Sequence, residues 1–82
     1  MLESKTIGHF TFNGRVYFVN NYPFAAHEIQ LVITDDIGEI QSVCYVLSND
    51  TIYWKFNRPA NDVREQIEKK ILEIVKKWRD GL

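Results

Sequence analysis

NRPANDVREQIEKKILEIVKKWRDG, residues 57–81, is the stretch whose reading decides the fold of this chain. Val63, Ile67, Ile71, Ile74 and Trp78 recur every third or fourth residue, and Leu72 and Val75 widen the stripe. That spacing puts them on one face of an α-helix and predicts an amphipathic helix over about 59–80. Pro59 suits a first turn, where a missing N–H costs nothing, and Asn57, Asn61 and Asp62 are available as caps or first-turn acids. Gly81 stands where such a helix stops. Glu65 with Lys69, and Glu73 with Lys77, are i,i+4 pairs in the favoured order. The apolar stripe needs a surface to cover it, and only the preceding residues can supply one.

Upstream, those residues read as strands. Residues 51–56 alternate, with Ile52, Trp54 and Phe56 on one side, after a turn at Ser48-Asn49-Asp50. Residues 39–47 set Ile40, Ser42, Cys44 and Val46 against Glu39, Gln41, Val43, Tyr45 and Leu47. A turn at Asp35-Asp36-Ile37-Gly38 is expected to close with Gly38 at positive φ. Residues 28–34 place Ile29, Leu31 and Ile33 opposite Glu28, Gln30 and Val32. Residues 20–26 read as a connection, because Pro23 cannot donate to a ladder. Residues 6–12 and 15–20 flank Asn13-Gly14, the pair that a type I′ hairpin turn favours. That register puts Gly8, Phe10, Phe12, Arg15, Tyr17 and Val19 on one side, and Ile7, His9, Thr11, Val16 and Phe18 on the other. Connections this short favour antiparallel neighbours. The expected fold is therefore α+β: a four- to five-stranded antiparallel β-meander, open or strongly curled, packed on one C-terminal α-helix. Residues 1–82 are read as a single domain.

Composition narrows the class. Hydrophobic residues at 45% and charged residues at 26% argue for a packed globule and against disorder. No apolar run approaches the ~18 residues of a membrane helix, and the first residues lack the apolar core of a secretory signal. The single cysteine, Cys44, allows no internal disulfide, so an intracellular, cytoplasmic setting is expected. Residues 1–56 hold three basic and six acidic side chains, net −3, and residues 57–82 hold seven and five, net +2. Neither half is charged enough to name a polyanionic or polycationic partner.

A catalytic kit is not legible. His9 falls mid-strand and reads as a hydrogen-bonded structural histidine, while His27 follows the Pro23 segment and reads as a surface residue. Neither has metal-ligand spacing around it, so no metal and no cofactor is expected. Asp35 and Asp36 read as turn residues bonding local backbone, and Cys44 as a small core residue. No phosphate loop or nucleophile motif occurs.

Two features rise above this background. One sheet face under one helix cannot bury all eleven aromatic side chains. Ile29, Leu31, Ile33, Trp54 and Phe56 fit the helix-covered face, which leaves Val43, Tyr45, Leu47 and Tyr53 opposite, joined by one apolar set from the first hairpin. Curling of the sheet, a homodimer or a foreign partner would each hide that surplus. The second feature is the basic end of the helix, Lys69, Lys70, Lys76, Lys77 and Arg79. These residues offset the macrodipole and solvate the helix, or form a stripe contacting phosphate or acidic groups.

The function expected from these features is a small non-catalytic protein-interaction module, a binder, inhibitor or adaptor. Tyr22 and Phe24 beside Pro23, with Tyr45 and Tyr53 on the sheet, are its candidate partner-binding residues. By analogy, compact domains of this kind are often encoded by viruses or mobile elements, which would put the chain in a host cytoplasm. The alternative is a single-stranded nucleic-acid-binding domain that stacks bases on sheet aromatics. The net −3 of the sheet half speaks against it, since stacking platforms sit in electropositive grooves.

Overall fold

The computed structural model describes residues 4–25 and 28–81, with the side chains of residues 23–25 and 28 outside the description. The elements are β1 Lys5–Phe12, β2 Arg15–Ala25, β3 Glu28–Thr34, β4 Ile40–Val46, β5 Ile52–Phe56 and α1 Asn61–Asp80. All strand pairs are antiparallel, in the order β1-β2-β3-β4-β5. The sheet is open, not a closed barrel, and packs one face on α1.

Turn chemistry sets the meander. Asn13 and Gly14 have φ of 52° and 74°, both positive as a type I′ turn requires. Gly38 closes the β3–β4 turn at φ 88°. Asp35 Oδ1 there accepts the backbone N–H groups of Ile37 and Glu39 at 3.1 and 2.8 Å, the local bonding expected of a turn aspartate. Asp50 and Asn57 also take positive φ, 63° and 53°, as short polar side chains tolerate. Asn57 fastens the β5–α1 connection to β4: its Nδ2 donates to the Gln41 carbonyl at 2.6 Å, and its own carbonyl accepts Ser42 Oγ at 2.9 Å. It is no helix cap. Ala60 occupies the cap position without a side-chain bond, so α1 begins at Asn61, and Pro59 precedes it.

The core lies between sheet and helix. Val19, Leu31, Cys44, Ile71 and Val75 are wholly buried, with Phe10, Ile33 and Val46 nearly so. Ile29 and Trp54 pack against them, as alternation predicts. Gly8 brings β1 close under the helix, where an added Cβ would stand 2.5 Å from Ile74 Cγ2. Trp54 Nε1–H donates to Glu68 Oε2 at 2.7 Å and ties β5 to α1. The ion pair found among the described residues joins Arg79 to Asp50 at 2.9 Å. It runs from helix to turn and not along the i,i+4 pairs, whose exposed long side chains gain little from ordering.

Four departures from strict alternation matter. The ladder shifts register between Thr6 and Gly8, and the extra residue, Ile7, packs on the core instead of sharing a face with His9. It shifts again between Tyr22 and Ala25, where Pro23 has no N–H to lose, so the expected loop at 20–26 is largely a continuation of β2. On β4, Ser42 stands opposite Ile33 but Ile40 stands opposite Thr34, which makes Gln41 the extra residue and turns Ile40 away from the helix. On β5, Trp54 stands opposite Cys44 but Phe56 opposite Val43, which makes Lys55 the extra residue and turns Phe56 outward. The expectation that Phe56 belongs under the helix is corrected accordingly: it is 55% exposed.

Candidate functional site

The face away from the helix is ordered in rows across the strands. Tyr22, Gln30, Tyr45 and Tyr53 form one row through successive pairings. Thr6, Asn20, Val32, Val43 and Phe56 form the next, followed by His9, Phe18, Thr34 and Ile40, and then Thr11 with Val16. Four of the five large apolar or aromatic side chains left exposed lie in these rows: Tyr53, Ile40, Phe56 and Val16. The fifth, Ile37, projects from the β3–β4 turn just before Ile40 and is 76% exposed. Four of the five thus lie on the side of the sheet away from the helix.

The polar groups at the centre of this face are satisfied within it. Asn20 Nδ2 donates to the Val32 carbonyl and to Thr34 Oγ1, each at 3.0 Å, and Thr6 Oγ1 donates to Asn20 Oδ1 at 2.6 Å. At the tyrosine row, the Tyr45 and Tyr53 rings stack with centroids 6.3 Å apart. Lys55 Nζ donates to the Tyr45 hydroxyl at 3.2 Å and stands 5.7 Å from its ring centroid. Apart from tyrosines, the ionisable side chain described in these rows is His9, and bulged Lys55 reaches onto Tyr45, so the face carries few charged groups.

The candidate residues read from sequence divide. Tyr53 is 60% exposed, whereas Tyr45, 8% exposed, is covered by its neighbours. Tyr22 is half-buried and belongs to β2, not to a loop. The side chain of Phe24, and His27 entirely, lie outside the described residues. His9 is exposed opposite Phe18, with ring centroids 6.1 Å apart, and not an internal structural histidine. The basic helix residues do not form one stripe. Lys69, Lys76 and Arg79 line a groove with Glu65, Glu68, Glu73 and Asp50, while Lys70 and Lys77 flank β1 beside His9 and Glu73. Interleaved carboxylates and the Arg79 ion pair leave no concentrated positive field.

Sequence reasoning did not single out Ile40, Phe56, Val16 or Phe18. The hairpin's two apolar sides flagged the last two; nothing in the periodicity marks the first two, because each depends on a bulge.

On the helix side, a groove of about 320 Å³ opens between the β1–β2 turn and the start of α1. Phe12, Tyr17, Trp54, Val63 and Ile67 line it, with Asn57 and Arg58 at its polar rim. Cys44 lies deep behind the sheet, and burial, helped by the Glu68 carboxylate, pushes its thiol up to about 12. A neutral, buried thiol is no nucleophile. Among the described residues no cluster of His, Cys, Asp or Glu could hold a metal, and no helix is long and apolar enough to cross a membrane.

Fold and face together define an α+β sheet-and-helix domain with one uncovered sheet surface. No protein-family model, curated protein or solved structure matches this chain.

Proposed function

We propose that the chain is a small non-catalytic protein-interaction module that binds through the uncovered sheet face. The observation that carries this reading is the gathering of Val16, Ile40, Tyr53 and Phe56 on one face with few charged groups. Aromatic and aliphatic anchors of this kind, set around an internally satisfied polar centre, suit desolvation against another protein. Nucleic acid suits the face poorly. Lys55 is the lysine of its tyrosine row, Lys69 and Lys76 line a groove on the helix side with Glu65, Glu68 and Glu73, and Lys70 and Lys77 reach only the β1 edge beside His9, next to Glu73. The single, buried cysteine suits a reducing compartment, and the proposed setting is the cytoplasm, that of a host if the chain is virus-encoded.

The test is capture on the immobilised chain, with and without nuclease and high salt, compared with a Tyr53→Ala, Phe56→Ala double variant. The expected result is a retained protein, a further copy of the chain included, that survives nuclease and salt and falls at least about tenfold with the variant. Material stripped by nuclease or salt would contradict the proposal, because phosphate contacts weaken steeply with ionic strength.

A further inference from the structure

We infer that the partner this face takes is a second copy of the same chain, the two sheets stacking face to face; this rests on the interaction-module reading above. Area is the first reason. Val16, Ile37, Ile40, Tyr53 and Phe56 are between 38% and 76% exposed. At roughly 200 Å² for a large side chain, they present on the order of 500–600 Å² of apolar surface. A standard interface takes about 800 Å² from each partner, somewhat over half of it apolar, so this apolar area matches what a dimer needs, with partly exposed Phe18, Tyr22 and Val43 in the same rows adding to it.

Charge is the second reason. A face bearing many like charges would repel its own copy and call for an oppositely charged partner. Here the described charged groups are sparse, and Lys55 is held against Tyr45. The chain's net charge of −1 adds little repulsion. Polar satisfaction is the third. Asn20 uses both its amide nitrogen and its oxygen within the face, so stacking against another sheet leaves that group paired and demands no complementary donor from the partner. A two-fold arrangement presents the same patch from both sides, which is the self-complementarity an isologous contact requires.

Edge-to-edge pairing through β5 is disfavoured by comparison. β5 is short, carries its bulge at Lys55 and leads into Asn57 at positive φ, all of which blunt it as a template for another strand. The face is unguarded, and stacked sheets pack at about 10 Å with their strands about 30° apart.

Sedimentation equilibrium from micromolar to millimolar chain tests the inference. The expected result is a concentration-dependent shift from 9.7 kDa to twice that mass. Phe56→Lys is expected to raise the dimer dissociation constant about 30- to 100-fold, as loss of an aromatic interface anchor does. Tyr53→Lys, at a 60% exposed site, serves if Phe56→Lys does not fold. Lys76→Glu on the outer side of α1 is expected to leave the dimer unchanged. A monomer across the whole range, or a dimer indifferent to both face variants, overturns the inference. A monomeric chain that retains a foreign protein, and loses it with Phe56→Lys, overturns the second-copy inference while leaving the interaction module standing. A monomer that retains nothing overturns both.

Discussion

Phe56 stands opposite Val43, although Trp54 stands opposite the adjacent Cys44. β5 therefore uses one residue more than β4 over this interval, and Lys55 is that residue. Two large side chains that strict alternation would assign to the helix side, Phe56 and Ile40, reach the open face through such shifts. A bulge interrupts ladder hydrogen bonds and is a specific feature of the strand that carries it. Here its product is a wider apolar face.

If Phe56 and Ile40 lie outside the core, polar replacements there cost little. Phe56→Ser and Ile40→Thr are each expected to change unfolding free energy by no more than about 0.5 kcal/mol. Leu31→Ala, at a wholly buried site, is expected to cost about 2–5 kcal/mol. Urea titration of dilute protein measures both. A loss for Phe56→Ser comparable with that for Leu31→Ala would return Phe56 to the core.

Gly8 is required by the approach of α1, not by its backbone angle. A Cβ there would lie 2.5 Å from Ile74 Cγ2 and 3.3 Å from Ile74 Cγ1. Ile74 is β-branched and cannot swing its methyl away freely. Gly8→Ala is expected to destabilise by about 1–3 kcal/mol, as overpacking does. Trimming Ile74 to Val should leave much of that cost, since the Cγ2 methyl remains, while Ile74→Ala should relieve the clash; the double-mutant cycle reads the coupling by denaturation.

The indole of Trp54 depends on Glu68. Removing the acceptor with Glu68→Leu leaves a half-buried N–H without its 2.7 Å partner and is expected to cost about 1–3 kcal/mol. Glu68→Gln keeps an acceptor oxygen and should recover most of it. The denaturation midpoint measures the loss, and Trp54 fluorescence should shift with Glu68→Leu; equal stability for Glu68→Leu and wild type would show the bond to be dispensable.

Much of the architecture was legible because each element obeys a local rule. The 3.6-residue recurrence from Val63 to Trp78 marks α1, Asn13-Gly14 marks the first turn, and Ile29, Leu31 and Ile33 mark the buried side of β3. The candidate face was legible only in part. Alternation assigns sides correctly until a strand inserts a residue; Gly8 beside Ile7 is a mark of such an insertion, but those at Gln41 and Lys55 carry no residue to announce them. Pro23 misled in the other direction, since its missing N–H signals a break in the ladder but not the end of a strand. Tyr45 lies on the side expected, and its burial arises from contacts with neighbours that periodicity does not encode.

Cys44 gives the fold a pH dependence whose sign is fixed. Burial, with a smaller contribution from Glu68, raises its thiol from 9.0 to about 12. The unfolded chain therefore loses this proton first, so stability falls as pH rises from about 9 toward 12. Below that window the thiol is neutral in both states and contributes no slope. Cys44→Ala should flatten the alkaline fall relative to wild type, and in the native protein a thiol reagent at mildly alkaline pH should react only as fast as the fold opens. Rapid labelling of folded protein would show the thiol to be accessible.

The most direct test of the open face as the interaction surface is a methyl and aromatic NMR titration of the chain against its own concentration. Signals from Val16, Ile40, Val43, Tyr53 and Phe56 are predicted to move together as concentration rises, while Ile71 and Val75, wholly buried between helix and sheet, stay fixed. Movement confined to the outer side of α1 would contradict the open face as the interaction surface, and no movement up to millimolar protein would contradict its taking a second copy of the chain.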